Sequence, residues 1–354
     1  MAKKCILVTD GTRDPKTNEW REDAQAVYRI VENYGYSFEI VHDDGIFCDG
    51  DKTGIAQLKL ETQGPNWVRH SPEYLEKIAD AEIIIISYSA AGKQFFDAAK
   101  QLKFLGIMRG GVENCDFEEA KKHGVTVAHC PGRACEPTAE MIIAHIMGAN
   151  RGISYVNNRW KEGVDFDFRV LQTYMPKLMR ESTVGLIGFG KIPKLVVQKM
   201  KSLGCKFVTY DPYLTPEQVE PYGVELVSLD ELAARSDFVS ISVILTPETT
   251  GMLNKEFFAK MKPSAFFINC ARGGFVVDAD LQEALRNGTI RGAALDVFNE
   301  EPLPYDSPYH QLENCVCTPH LAGGAGDGVI LSAEMMMAEV ERWIKGEPLI
   351  AQRC

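Results

Sequence analysis

The sequence predicts an α/β fold of two doubly wound parallel sheets, and three observations carry the prediction. Short apolar runs of strand type alternate with amphipathic helical runs along nearly the whole chain. The alternation halts at a long helical stretch from Glu136 and begins again near residue 183. A glycine turn of the kind that links a buried strand to a helix lies in the second part, not at the amino terminus, so an entire α/β unit precedes it. A length of 354 residues suits two cores of ordinary size.

In the first part Cys5 to Val8, Phe38 to Val41, Glu82 to Ser87, Leu105 to Met108 and Val125 to Ala128 read as strands, with helical runs at Ala24 to Val31 and Pro72 to Ile78. Residues 42–70 interrupt them with Gly45, Gly50, Gly54, Gly64 and Pro65 and the aspartates Asp43, Asp44, Asp49 and Asp51. The aspartate spacing does not fit a calcium loop, and the segment reads as a solvated surface excursion. Glu136 to about Lys161 reads as one long helix bridging into the second part. There Thr183 to Gly188 is a strand, Lys191 to Leu203 a helix, and Lys206 to Tyr210 a second strand ending at Asp211. Ser228-Leu229-Asp230-Glu231 is a capping box, because Ser can accept the third-position N–H while Glu reaches back, and it opens a helix to Arg235. Further strands are expected at Phe238 to Ser242, Ala265 to Asn269, Gly292 to Asp296 and Val316 to Thr318. The last helix, Gly328 to Lys345, stops at Gly346 and Pro348. The expected division is a discontinuous first unit, 1–148 with 328–354, and a second unit, 149–327.

Composition narrows the function class. A content of 45% apolar and 25% charged residues excludes disorder. The balance of 38 Lys+Arg against 49 Asp+Glu, a net charge of −11, repels a phosphate backbone and argues against nucleic acid. Apolar runs such as Ile83 to Ile86 fall far short of the roughly 20 residues that cross a bilayer, so no membrane role is expected. The opening segment through Asp10 is too short for a secretion signal, and the ten cysteines are scattered, so a reducing cytosol is the expected setting. Cys315-Val316-Cys317 alternates as a strand would and lacks a second ligand pair at zinc spacing, so no metal site is expected.

Gly185-Leu186-Ile187-Gly188-Phe189-Gly190-Lys191-Ile192-Pro193 sits between a strand and a helix, where Gly188 and Gly190 let the backbone bring a pyrophosphate onto free helix N–H groups. Pro193 replaces the third glycine of the fingerprint; it is compatible with a first helical turn, at an expected cost in helix-to-strand packing. About twenty residues on, Asp211 stands where an acid binds both ribose hydroxyls and repels a 2′-phosphate. No Arg follows at Pro212 or Tyr213, so NAD is expected over NADP.

The order of these parts resembles the D-isomer-specific 2-hydroxyacid dehydrogenase family, and further motifs extend the resemblance over nearly the whole chain. Asn269-Cys270-Ala271-Arg272-Gly273-Gly274 resembles the segment bearing the family's catalytic Arg. Gly292-Ala293-Ala294-Leu295-Asp296-Val297-Phe298 with Glu300-Glu301-Pro302 resembles its nicotinamide-side Asp and catalytic Glu, and Thr318-Pro319-His320 its catalytic His. The wording around Arg272 looks closest to the phosphoglycerate dehydrogenase branch. The resemblance implies a Rossmann NAD-binding domain inserted in a flavodoxin-like substrate domain, a site in a crevice that closes by a hinge, and a homodimer joined through the Glu136 to Lys161 region. It also implies Lys191 and Ile192 at the pyrophosphate, and Ser242, Cys270, Ala271, Asp296, Gly323 and Cys130 along the cofactor. Backbone N–H groups of Gly110, Gly111 and Val112 are implied to hold the substrate carboxylate, with Arg109 nearby and Ser89 on the neighbouring loop.

These residue types suit the chemistry on their own account. Reduction of a 2-keto acid needs a cation for the carboxylate, a proton donor for the carbonyl oxygen and a hydride. Arg272 can grip a carboxylate bidentately and polarise the ketone. His320 paired with Glu301 would hold its proton more firmly, serving as acid in reduction and base in oxidation. The sequence departs from the family at Ser242-Val243-Ile244-Leu245-Thr246, where a His and a Pro are missing, although Ser242 can still donate a hydrogen bond. Tyr88 falls where phosphoglycerate-type members often place an Arg for the substrate phosphate. That favours an uncharged or sugar-derived acid. With Cys354 directly after the last helix, no regulatory domain and no serine feedback are expected. A rival reading is an NAD-sensing corepressor-like protein without turnover, disfavoured by the retained Arg272, Glu301 and His320. Formate dehydrogenase is disfavoured because that relative resembles a Gln–His pair.

Overall fold

The computed structural model describes residues 3–9, 22–43, 59–60, 63–161, 163, 176–324 and 328–354. The chain divides into two compact units, Met1–Ala134 with Ala325–Cys354, and Cys135–Gly324.

In the first unit the strands are β1 (Lys3–Thr9), β2 (Tyr36–His42), β3 (Ile83–Ile86), β4 (Phe104–Ile107) and β5 (Thr126–His129). They form one parallel sheet in the order β2-β1-β3-β4-β5. Its helices are α1 (Glu22–Tyr28), α2 (Pro72–Ile78), α3 (Lys93–Ala98) and α4 (Phe117–Lys122). Helices are capped as their sequences dictate: the Ser71 side chain accepts from Tyr74 N before α2, and Asp116 accepts from Glu118 N and Glu119 N before α4. Strand residues alternate between two cores. Ile6, Val8, Ile84 and Ile86 pack with Phe95 and Phe96 on one face, while Cys5, Leu7, Ile83 and Ile85 pack with Met336, Met337 and Val340 on the other. Burial on both faces explains why Ile83–Ile86 is an unbroken isoleucine run. The chain's last residues lie antiparallel to β5, with Arg353 N donating to Val127 O at 2.8 Å.

In the second unit, helices α5 (Cys135–Arg151) and α6 (Ile153–Lys161) precede the sheet. Its strands are β6 (Thr183–Ile187), β7 (Lys206–Tyr210), β8 (Val224–Leu226), β9 (Phe238–Ile241), β10 (Phe266–Asn269), β11 (Gly292–Leu295) and β12 (Cys315–Cys317). All are parallel, in the order β12-β11-β10-β9-β6-β7-β8. Helices α7 (Lys191–Met200), α8 (Pro216–Val219), α9 (Leu229–Arg235), α10 (Lys255–Lys260) and α11 (Asp278–Arg286) connect them, and α12 (Gly328–Lys345) returns to the first unit. The chain reverses its direction of winding between β6 and β9. In such sheets the crevice at that switch point, beyond the carboxyl ends of the strands, is the ligand site.

The sequence reading holds in type and order for the elements it named, which did not include β8 or helices α3, α4, α8, α10 and α11, and three expectations are corrected. The long helix expected over Glu136 to Lys161 is two helices, because Gly152 adopts a left-handed φ of 63°. The junction expected at 148/149 would cut α5, whereas Ala139, Ile142, Ile146 and Ala149 all pack with Val184 and Leu186, so the whole helix belongs to the second unit and the junction lies at 134/135. The segment 42–70 is not a wholly solvated excursion: Asp43 is 1% exposed and bonded to His70. Asp44, Asp49, Asp51, Gly45, Gly50 and Gly54 lie outside the described residues. No helix among the described residues is long and apolar enough to cross a membrane.

Candidate active site

The carboxyl ends of β6, β7 and β9 meet at the glycine turn. Gly188 has φ of 88°, and a side chain there would lie 2.7 Å from Ser242 O, so only glycine fits between the two strand ends. Its N–H donates to Tyr210 O at 2.8 Å, and Phe189 N donates to the Asp211 carboxylate at 3.0 Å. The other Asp211 oxygen accepts from Tyr213 N at 3.0 Å. Each carboxylate oxygen retains acceptor capacity. Gly190 caps α7 without a side-chain hydrogen bond, and a Cβ added to it would meet nothing within 4 Å. Exposed Lys191 and half-buried Ile192 begin the helix, and Pro193 is buried in its first turn, which packs along α5. A helix start with unclaimed N–H groups and open space fits a pyrophosphate.

Arg272, Glu301 and His320 all belong to the second unit, on the loops after β10 and β11 and the turn after β12. His320 Nδ1 and Glu301 Oε2 are 2.6 Å apart, and the two side chains are 35% and 24% exposed, open enough for a ligand to reach. The Glu301 hydrogen bond raises the His320 imidazole above its ordinary pKa, against the opposing effects of burial and the Arg272 charge. Burial pushes Glu301 up. The His320 hydrogen bond, the Phe298 N–H at 2.9 Å and the charges of His320 and Arg272 outweigh it and leave that carboxyl below its usual range. Arg272 is exposed, with Nη1 donating to Ala271 O at 2.8 Å.

Buried polar residues shape this cluster. Asn269 is 1% exposed and spans the Arg272 loop, its Nδ2 donating to Arg272 O at 2.8 Å and its Oδ1 accepting from Ala271 N at 3.0 Å. Gly273 presses on the loop that carries Glu301, where a side chain would overlap Phe298 C, Phe298 O and Asn299 N. His320 itself has φ of 53°, uncommon for a non-glycine residue, and its N–H donates to Asp296 O at 2.8 Å. Asp296 is fully buried. Its Oδ1 accepts from Thr318 Oγ1 at 2.5 Å and Leu321 N at 2.9 Å, and its Oδ2 from Ala322 N at 2.7 Å. Asp296, expected beside the nicotinamide, is engaged with the His320 turn. Half-buried Gly323 lies at the end of that turn. Ala271 is half-buried, whereas the Cys270 thiol is buried and its pKa pushed up by that burial.

The first unit places the other expected residues after β3, β4 and β5. Arg109 is 6% exposed, with its guanidinium 4.5 Å over the Tyr88 ring. Gly110 O accepts from His129 Nδ1 at 3.0 Å, which pins the loop of Gly110, Gly111 and Val112 to the end of β5. Two side chains are fully buried. Ser89 is fully buried, its hydroxyl donating to Asp43 and lying 3.3 Å from Tyr74 OH. Cys130 is fully buried against α12, its thiol 3.5 Å from Ser332 O and its pKa pushed up to about 12 by burial. His70 completes the Ser89 network with Nδ1 3.0 Å from Asp43 and Nε2 2.8 Å from Ala90 O. Asn269, Gly273, Thr318, Asp43 and His70 received no role from the sequence. The one available signal was Asn269, a polar residue closing the apolar run Phe266 to Ile268.

Residues 143–322 match the family model described as D-isomer specific 2-hydroxyacid dehydrogenase, NAD binding domain. Among curated proteins, the D-3-phosphoglycerate dehydrogenase of Methanocaldococcus jannaschii is 35% identical over 280 residues, covering 78% of this chain and 52% of that protein. The Bacillus subtilis protein of the same name is 32% identical over 289 residues, covering 78% and 53%. The chain thus spans about half the length of the curated relatives it matches. A solved protein of Thermus thermophilus superposes with a TM-score of 0.75 at 26% identity, covering 99% of this chain and 100% of that one. The NAD-complexed D-isomer specific 2-hydroxyacid dehydrogenase of Lactobacillus delbrueckii ssp. bulgaricus shares the fold, with a TM-score of 0.77 at 21% identity and coverage of 99% and 100%. With its NAD-binding domain at residues 143–322, this chain belongs to the D-isomer specific 2-hydroxyacid dehydrogenase family.

Proposed function

We propose that the chain catalyses reversible hydride transfer between NAD(H) and a D-2-hydroxy acid or its 2-keto acid. The observation that carries the reading is the 2.6 Å bond between His320 and Glu301, with the Arg272 charge acting on both. NAD, when bound, supplies the hydride acceptor or donor. The start of α7 with Gly188, Gly190, Lys191 and Ile192 would hold its pyrophosphate, and Asp211 its ribose hydroxyls. Arg272 would grip the substrate carboxylate and polarise the carbonyl. In the first unit, the N–H groups of Gly110, Gly111 and Val112 are proposed as carboxylate donors. With Nδ1 on Glu301, Nε2 of His320 is the atom that gives a proton to the carbonyl oxygen in reduction and takes it from the hydroxyl in oxidation.

Tyr88 brings no charge of its own, but the Arg109 guanidinium over its ring puts a cation beside it. That contact supports a distal substrate group that is anionic or rich in hydroxyls. A homodimer in the cytosol is part of the same proposal; exposed Ile153 and Trp160 on α6, at 60% and 64%, support association through that helix. The test is loss of NADH absorbance with 3-phosphohydroxypyruvate, hydroxypyruvate, glyoxylate and sugar-derived keto acids, with NADPH as control. Turnover is expected with NADH, and His320→Ala should abolish most of it while NADH still binds. Near-normal turnover in H320A overturns the acid/base assignment. Silence of the native protein across the panel, with NADH bound, favours the sensing protein instead.

A further inference from the structure

Cys315 and Cys317 stand on one face of β12, the edge strand of the second sheet, with their sulfurs 3.8 Å apart. Both are half-buried, so a small reagent can reach them. The strand that carries them runs straight into the proposed acid/base site. Thr318 follows directly, its N–H on Leu295 O at 2.9 Å and its hydroxyl on Asp296, and His320 comes next but one.

We propose that Cys315 and Cys317 form a reversible oxidative switch, closing to a disulfide under a peroxide and disabling the His320 turn. The chemistry balances in two steps. The Cys317 thiolate attacks one peroxide oxygen, giving a sulfenic acid and releasing hydroxide, which the thiolate's lost proton converts to water. The Cys315 thiol then attacks the Cys317 sulfur, forming the S–S bond and expelling a second water. Two thiols and one hydrogen peroxide give one disulfide and two waters, and a small dithiol reverses the change by exchange. The hydrogen bond with Cys315 favours the roles: it holds the Cys317 thiol below its ordinary pKa against burial, while Cys315 is pushed up.

The geometry gives the closure its effect. A bond of about 2.05 Å requires the sulfurs to approach by about 1.8 Å. Alternate strand residues lie about 6.6 Å apart at Cα, inside the range that a disulfide tolerates but longer than the roughly 5.5–6 Å it favours, so closure pulls the strand shorter. A shortened β12 draws Thr318 away from Leu295 O and Asp296, which moves His320 relative to Glu301. A misplacement of about 1 Å costs on the order of a hundredfold in rate. A bridge under such strain is easily reduced, as a switch in a reducing compartment must be.

The effect on turnover rests on the proposed dehydrogenase activity, so the test includes two readouts that do not. Hydrogen peroxide is added to the reduced native protein, to C315S and to C317S. The peptide spanning 315–317 is weighed, amide exchange over 317–322 is followed, and turnover is measured where a substrate is known. Expected in the native protein are a peptide lighter by two hydrogen atoms, faster exchange and a turnover loss of roughly tenfold or more, all reversed by dithiothreitol. Both serine variants should keep their turnover and exchange after peroxide. A peptide recovered as free thiols or as a sulfinic acid overturns the proposal, as does a disulfide that leaves exchange unchanged, or the same loss in C317S. Should the variants not fold, phenylarsine oxide on the native protein decides: it should protect both thiols together, and failure to do so counts against the pair. Absence of turnover before peroxide refutes the dehydrogenase reading and leaves the mass and exchange readouts to judge the switch.

Discussion

Gly273→Ala isolates the contact that sets Arg272 against the His320–Glu301 pair. A Cβ at position 273 would come under 3.0 Å from Phe298 C, Phe298 O and Asn299 N, all of them backbone atoms. Carbon atoms in contact lie about 3.5–4.0 Å apart and the added Cβ falls far inside that distance, so the two loops must part by about 1.5–2 Å. Neither can yield freely, because Asn269 pins the Arg272 loop and Phe298 N is bonded to Glu301. The overpacking should cost about 1–3 kcal/mol of stability, which a protein of this size survives. A shift near 1 Å of Arg272 should cost on the order of a hundredfold in kcat/KM, with most of it in KM for the keto acid if the carboxylate grip suffers first. NADH affinity should fall less than the carboxylate grip, since the α7 turn follows β6, two strands from β10. The assay is kcat and KM with the best acid of the panel, beside NADH titration and a melting curve. Near-native kcat/KM in a folded G273A protein would show that the loop contact does not position Arg272.

Three further outcomes are expected. Glu301→Gln removes the group that raises His320, so the imidazole loses its proton at lower pH; the alkaline fall of keto-acid reduction and the acid fall of hydroxy-acid oxidation should both move to lower pH, with turnover down by about 10²–10⁴. A pH profile that does not move refutes the pairing. Asp211→Ala should relax discrimination against NADPH, measured as the ratio of kcat/KM for the two cofactors, and an unchanged ratio refutes the ribose assignment. Asp43→Ala takes the carboxylate from His70 Nδ1 and from the Ser89 hydroxyl and should cost about 1–3 kcal/mol in chemical denaturation, while a change within about 0.5 kcal/mol would show the network to be dispensable.

The elements that the sequence revealed are those whose signal is local. Ile83–Ile86 and Phe266–Asn269 are readable because burial on both faces leaves an unbroken apolar run, and Ser228 with Glu231 because a capping box is a four-residue pattern. The glycine turn is readable for the same reason, since Gly188 must be glycine whatever surrounds it. The Asp43–His70 pair was not readable. The two are 27 residues apart, and the packing of Asp43 against His70 and Ser89 is what makes the aspartate a buried one. The break at Gly152 was missed because apolar spacing continues through it, and the burial of Ser89 and Cys130 because a motif specifies a position on a loop without specifying which way its side chain turns.

Asp296 shows what that distinction means for the chemistry. A fully buried carboxylate must find donors, and this one takes them from Thr318, Leu321 and Ala322, the residues on both sides of His320. Hydrogen bonds to a charged group each contribute about 1.5–3 kcal/mol, which exceeds the roughly 1–3 kcal/mol that a left-handed His320 backbone costs. The same bonds tie the end of β12 to the end of β11, whose following loop carries Glu301. His320 and Glu301 therefore meet at 2.6 Å because Asp296 holds their two strand ends in one frame. A substitution at Asp296 that touches neither partner should separate them, and the proposed closure of Cys315 onto Cys317 would act on the same frame.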